Sequence, residues 1–127
     1  MTTITIAGSP DLNSTEESTA GNAAVVRLYE LSNETIFKSI TIESFWRDDV
    51  AALGSELVAS PQQFLLYPSE AKNLQFTPRP ETRYIGVAAD LRKPDLQNWR
   101  QIIPVEALMG KSLLIQVVRD RVVLNLI

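Results

Sequence analysis

Apolar and polar positions alternate with a period of two through most of this chain, the pattern of short, half-buried strands. Residues 2–7 open it by alternating Thr and Ile. Residues 23–32 repeat it, with Val25, Arg27, Tyr29 and Leu31 on one side and Val26, Leu28 and Glu30 on the other. Further strands are expected at 62–67, at 74–78 with Leu74 and Phe76 inward after a turn over 69–73, and at 100–105. Residues 84–89 are almost continuously apolar, as in a buried internal strand. The segment from Leu113 to Ile127 reads as a hairpin turning near Arg119-Asp120, with Val117, Val118, Val122 and Leu124 on its strands.

One region changes period. Over 39–53, Ile42, Trp46, Val50 and Leu53 recur at helical spacing with Phe45 beside them. Ser39 or Thr41 is placed as N-cap, Glu43 lies near the positive helix end, and Gly54 is placed to stop the helix. Eight or so short strands with one inserted helix predict an all-β sandwich or barrel, and 127 residues suit one domain with one core.

Residues 8–22 fit no period. They are rich in Gly, Ser, Thr, Asn, Asp and Glu and read as a long loop between the first two strands. Loops of this length are uncommon in compact domains and are either functional or disordered. Charge favours attention to this one. The chain carries 15 acids against 12 Lys and Arg, for a net charge of −3. Asp11, Glu16 and Glu17 lie in the loop with no Lys or Arg, so the whole excess sits there. Two readings follow: a disordered insertion, or a partner-binding loop on a rigid scaffold. In the second reading the contact residues are Asp11, Leu12, Asn13, Ser14, Thr15, Glu16 and Glu17; Leu12 stands out as an apolar side chain with no evident core to join.

Candidate chemistry is thin. The chain has no Cys and no His, which excludes disulfides, thiol nucleophiles and the usual zinc and Ser-His-acid sites. Neither a cofactor site nor a small-molecule substrate is indicated. Met109-Gly110-Lys111-Ser112 resembles the end of a phosphate-binding loop, but Val105 occupies the first glycine position and a β-rich segment follows. Ser69 and Lys72 match the bare Ser-x-x-Lys spacing, in a turn rather than at a helix start. Asp48 and Asp49 are adjacent, hence about 100° apart on a helix, and read as a solvated face. Asn13 and Asn33 begin glycosylation triplets, with nothing else pointing to such a setting. Arg92, Lys93, Trp99 and Arg100 form the one aromatic–basic cluster. In an acidic chain it reads as a tryptophan lying over the sandwich end beside a solvated or ion-paired Arg100, rather than as a nucleic-acid surface.

The ordered set of segments resembles a known family. "SPDLN" follows an early strand, then come "VVRLYELSN", "SFWRDDVAALGSEL", "FLLYPSEAKNL", "RYIGVAADLR" and "WRQIIPV" before a hairpin. Together they resemble the TssJ (SciN-like) outer-membrane lipoproteins of type VI secretion systems, over nearly the whole chain. The resemblance implies a transthyretin-like β-sandwich with a small helical element and a non-catalytic role in the membrane complex. It implies tethering to the periplasmic side of the outer membrane through an acylated N-terminal cysteine. It also implies that the loop between the first two strands, here 8–22, contacts the periplasmic C-terminal domain of TssM. With no Cys in the chain, the expectation is a soluble portion trimmed of signal peptide and lipidated cysteine. The competing expectations are a transthyretin-like or immunoglobulin-like carrier or adhesin module with another partner, and a small Ser-Lys or carboxylate enzyme.

Overall fold

The computed structural model describes residues 2–17 and 19–127; Met1 and Ser18, the latter within the predicted loop 8–22, lie outside the described residues. The described residues form two four-stranded sheets. The strands are β1 (Thr2–Gly8), β2 (Ala24–Leu31), β3 (Gln62–Leu66), β4 (Ala71–Phe76), β5 (Tyr84–Asp90), β6 (Arg100–Pro104), β7 (Leu113–Val117) and β8 (Val122–Leu126). One sheet runs β4-β1-β7-β8 and the other β3-β2-β5-β6. Every pairing is antiparallel except β1 with β7, which run parallel with Ile4 opposite Leu113. The all-β sandwich expected from the alternation is therefore observed, and the predicted hairpin at Arg119-Asp120 joins β7 to β8.

Two apolar clusters hold it. The inner one lies between the sheets and includes Ile4, Ile6, Val26, Leu28, Ile85, Val87, Leu113, Ile115 and Val117. The second lies on the outer face of the β3-β2-β5-β6 sheet, where Tyr29, Leu31, Ala88 and Trp99 meet Phe37, Phe45 and Leu53 of the helical insertion. Because β2 and β5 are covered on both faces, their sequences run apolar rather than strictly alternating. Gly86 marks the closest approach: a methyl group there would stand 2.8 Å from Phe37 Cζ.

The helical region departs from expectation. Instead of one helix over 39–53 there are three short ones: α1 (Thr35–Ser39), α2 (Ile42–Arg47) and α3 (Asp49–Leu53). Thr41 caps α2 as expected, its Oγ1 accepting from the Ser44 N–H at 3.2 Å. The break falls at Asp48, which leaves helical geometry (φ −162°, ψ 83°) and restarts the chain by accepting from the Ala51 N–H at 3.1 Å. Past that break Val50 is 52% exposed, although Ile42, Trp46 and Leu53 pack inward. The Asp48-Asp49 pair is thus only in part a solvated face: Asp48 is an exposed cap, and Asp49 is buried at 9% exposure beneath Arg27 and Tyr29. The turn expected over 69–73 is also shorter, because Ala71 already pairs with Ala7 in β4. Ser69 carries the turn at φ 62°.

Trp99 is buried, at 1% exposure, but under the helical insertion rather than over the sandwich end. Arg100 is not free, and among the described residues it makes no ion pair. Its guanidinium lies 4.6 Å from the Trp99 ring centroid and donates to the backbone carbonyls of Ile40 and, at 2.6 Å, Lys38.

Candidate functional site

Strand directions gather four connections at one end of the sandwich: β1–β2 (9–23), β3–β4 (67–70), β5–β6 (91–99) and β7–β8 (118–121). The start of β1 and the helical insertion's entry from β2 lie toward the other end. The long acidic loop therefore does not stand alone.

It is also built, not loose. After β1 ends, Leu12 turns back into the inner core and is fully buried, so the apolar residue that had no evident partner is an anchor. Its Cδ2 would stand 3.0 Å from a methyl group on Gly8. The neighbouring Asn13 adopts φ 54°, a left-handed conformation that Asn tolerates better than most residues. Its side chain, 5% exposed as a residue, donates to the Ala23 carbonyl at 3.0 Å and accepts the Arg92 N–H at 2.6 Å. The Leu12 carbonyl accepts the Asn22 N–H at 2.7 Å, closing the loop across its base. Gly21 fits beneath Pro10 and Pro68, where a methyl group would stand 2.3 Å from the Pro10 carbonyl.

This geometry divides the seven predicted contact residues. Leu12, Asn13 and Ser14 are buried and form the base of the loop. Asp11, Glu16 and Glu17 are exposed and Thr15 is half-buried. Asp11 accepts from the Ser9 hydroxyl at 2.5 Å. Burial of Asn13 also closes the first glycosylation triplet, while Asn33 accepts from the N–H and hydroxyl of Thr35 at the entry to α1. Replacing Asn13 with alanine is expected to destabilise the fold by about 1–3 kcal/mol, since it strands the Ala23 carbonyl and Arg92 N–H and disfavours the positive φ. Chemical denaturation checks this; a loss within about 0.3 kcal/mol would mean the loop is not fastened through Asn13.

Sequence reasoning singles out Arg92 and Lys93 but misses that they lie beside the acids. Lys93 Nζ approaches Glu16 Oε1 at 3.7 Å, and Ser14, Glu16, Lys93, Pro94, Arg119 and Asp120 line a groove of about 290 Å³ between the loops. The contact spans more than seventy residues, so no local pattern announces it.

Of the remaining candidates, Ser69 lies in a turn and Lys72 in β4. Gly110 takes φ 72° before β7, without a following helix, and Lys72 pairs with Glu70 at 3.5 Å. Among the described residues no cluster of three acid, His or Cys side chains is placed to hold a metal, and no helix is long and apolar enough to cross a membrane.

Comparison with known proteins matches the same architecture. The family described as type VI secretion lipoprotein (T6SS-SciN; VasD, EvfM, TssJ) matches residues 1–120. A search of curated proteins returns no match. Among solved structures, the type VI lipoprotein TssJ1 from Pseudomonas aeruginosa superposes with a TM-score of 0.89 at 25% identity, covering 99% of this chain and 95% of that one. Serratia marcescens Lip, described as a membrane-bound component of the type VI secretion system, gives 0.83 at 19% identity, with 97% and 95% covered. A chain from a structure described as the TssM C-terminal domain from EAEC gives 0.84 at 20% identity, with 98% and 96% covered.

Proposed function

The chain belongs to the TssJ family of type VI secretion lipoproteins, and on that premise we propose that it is a non-catalytic adaptor of the secretion membrane complex. It works on the periplasmic side of the outer membrane and docks the periplasmic C-terminal domain of TssM through the four-loop end of its sandwich. The observation that carries this reading is the β1–β2 loop. Its exposed acids, Asp11, Glu16 and Glu17, ride on a base locked by the buried Leu12, Asn13 and Ser14. A loop so fastened presents charge with little ordering cost on binding.

The polarity of the sandwich suits an adaptor. β1 has seven residues and so spans about 23 Å from Thr2 to the docking end. An anchor upstream of Thr2 would leave from the opposite end and direct the four loops away from the membrane. The adhesin and enzyme alternatives have no observation of their own to support them.

Reversing Glu16 and Glu17 to Lys is expected to weaken binding to the TssM periplasmic domain about tenfold, because exposed charges act mainly on encounter rate and specificity. The loss should shrink at high salt, where such charges are screened. Calorimetric titration of the two purified domains reads it directly. Unchanged affinity would sink the assignment of this loop.

A further inference from the structure

Three exposed cations share the docking end with the acids of the β1–β2 loop: Arg92 and Lys93 in the β5–β6 connection and Arg119 in the β7–β8 turn. Their neighbours do not account for them. Arg92 and Arg119 make no ion pair among the described residues, and Lys93 has only Glu16, at 3.7 Å with both side chains more than half exposed. Arg121, in the same turn, is different, since Asp120 at 3.0 Å and Asp95 at 3.6 Å hold it within the fold.

The backbone beneath these cations is fixed. Asp95 Oδ1 accepts from the N–H groups of Asn98 at 2.8 Å and Gln97 at 3.0 Å, which hold its carboxyl below the ordinary carboxylate range. The Asp95 N–H donates to the Asp120 carbonyl at 2.8 Å, tying the two basic connections together. The Arg92 N–H donates to Asn13 Oδ1, tying them to the acidic loop. Acids and cations therefore stand in a set relation on either side of the groove lined by Glu16, Lys93 and Arg119. A surface that bound only a basic partner would be opposed by these charges, since like charges brought together across an interface cost affinity.

The geometry points to a two-signed docking end: Arg92, Lys93 and Arg119 form a basic lobe that takes an acidic segment of the same protein whose basic residues meet the β1–β2 loop. This rests on the docking reading above. Two opposed charges fix the register of the complex as well as its strength, because a partner shifted by one lobe meets its own sign.

The test titrates the TssM periplasmic domain against wild type, Arg92→Glu/Arg119→Glu, Glu16→Lys/Glu17→Lys, and a control, Arg83→Glu/Lys111→Glu, that makes the same charge change at the opposite end. Reversal in the basic lobe is expected to weaken binding about tenfold at low salt, with the loss shrinking at high salt. The control should stay within about twofold of wild type, and thermal unfolding midpoints should match throughout. An Arg92→Glu/Arg119→Glu variant that binds as wild type does, or tighter, overturns the basic lobe. So does an equal loss in the control. If only the acidic reversal weakens binding, the lobe fails and the docking reading stands. If wild type does not bind, or neither reversal matters, both fail.

Discussion

Replacing Trp99 with alanine is expected to cost about 3–5 kcal/mol, a large part of the 5–15 kcal/mol typical of a domain. Trp99 is 1% exposed and sits where the outer face of the second sheet meets the insertion. Phe45 meets it edge-on with ring centroids 5.0 Å apart, and the Trp46 ring lies at 6.2 Å. Its loss also unseats Arg100, whose guanidinium stacks on the indole while donating to the carbonyls of Ile40 and Lys38 at the end of α1. One substitution thus removes an apolar anchor and loosens a side chain of β6 that clasps that end of the insertion. Helices of five and six residues have no independent stability, so α1 and α2 depend on this cluster. Urea denaturation should show the loss, and native-state hydrogen exchange should show amides of α1 and α2 exposed while those of β1 and β7 stay protected. Trp99→Phe should recover about half. A Trp99→Ala variant within about 1 kcal/mol of wild type would mean the insertion is held by other contacts.

How far the sequence reveals this molecule depends on the range of the interactions involved. Period-two runs such as Thr2–Ala7 follow from the pleat itself, and each appears as a strand. The Arg119-Asp120 turn is local, and it joins β7 to β8 where the sequence places it. Asp48 shows the limit. Ile42, Trp46 and Val50 do recur at helical spacing, but an aspartate can cap a new helix as readily as sit on an old one, and nothing local says which. The partners that Asp49 gains by the break, Arg27 and Tyr29, come from β2. The four-loop end divides in the same way. Its acids were legible as composition, whereas the burial of Leu12 and Asn13 and the nearness of Arg92, Lys93 and Arg119 depend on strand order. A loop rich in Asn, Ser and Glu looks unstructured until the far strands supply its partners.

Asp49→Ala is expected to be nearly as damaging as Trp99→Ala, by a different route. The Asp49 carboxylate, in a residue 9% exposed, accepts the Tyr29 hydroxyl at 2.6 Å, Arg27 Nη1 at 3.0 Å and the Val50 N–H at 2.9 Å. Removing one partner of a buried pair costs about 3–5 kcal/mol, because the groups left behind have lost water and gained nothing. Arg27 is about a quarter exposed and stacks 5.1 Å from the Trp46 centroid, so water and the indole offset part of that, and the lower end is expected. Tyr29→Phe isolates the hydroxyl and should cost about 1 kcal/mol, since Arg27 and Asp49 keep each other. The two variants also differ with pH. Burial first, then the hydrogen bond to the Asp49 carboxylate, push the Tyr29 hydroxyl well above its ordinary value of 10.0. A group whose pKa rises on folding contributes fully below its unfolded value and loses that contribution as pH climbs toward the folded one. Wild-type stability should therefore fall above about pH 10, with up to about 1.4 kcal/mol lost per unit from this residue, and Tyr29→Phe should lack that share of the slope. Urea midpoints at neutral pH and at several alkaline values measure both effects. Equal alkaline slopes in wild type and Tyr29→Phe would mean the hydroxyl ionises freely in the fold, and an Asp49→Ala protein of wild-type stability would mean Arg27 and Tyr29 regain partners or water when the carboxylate goes.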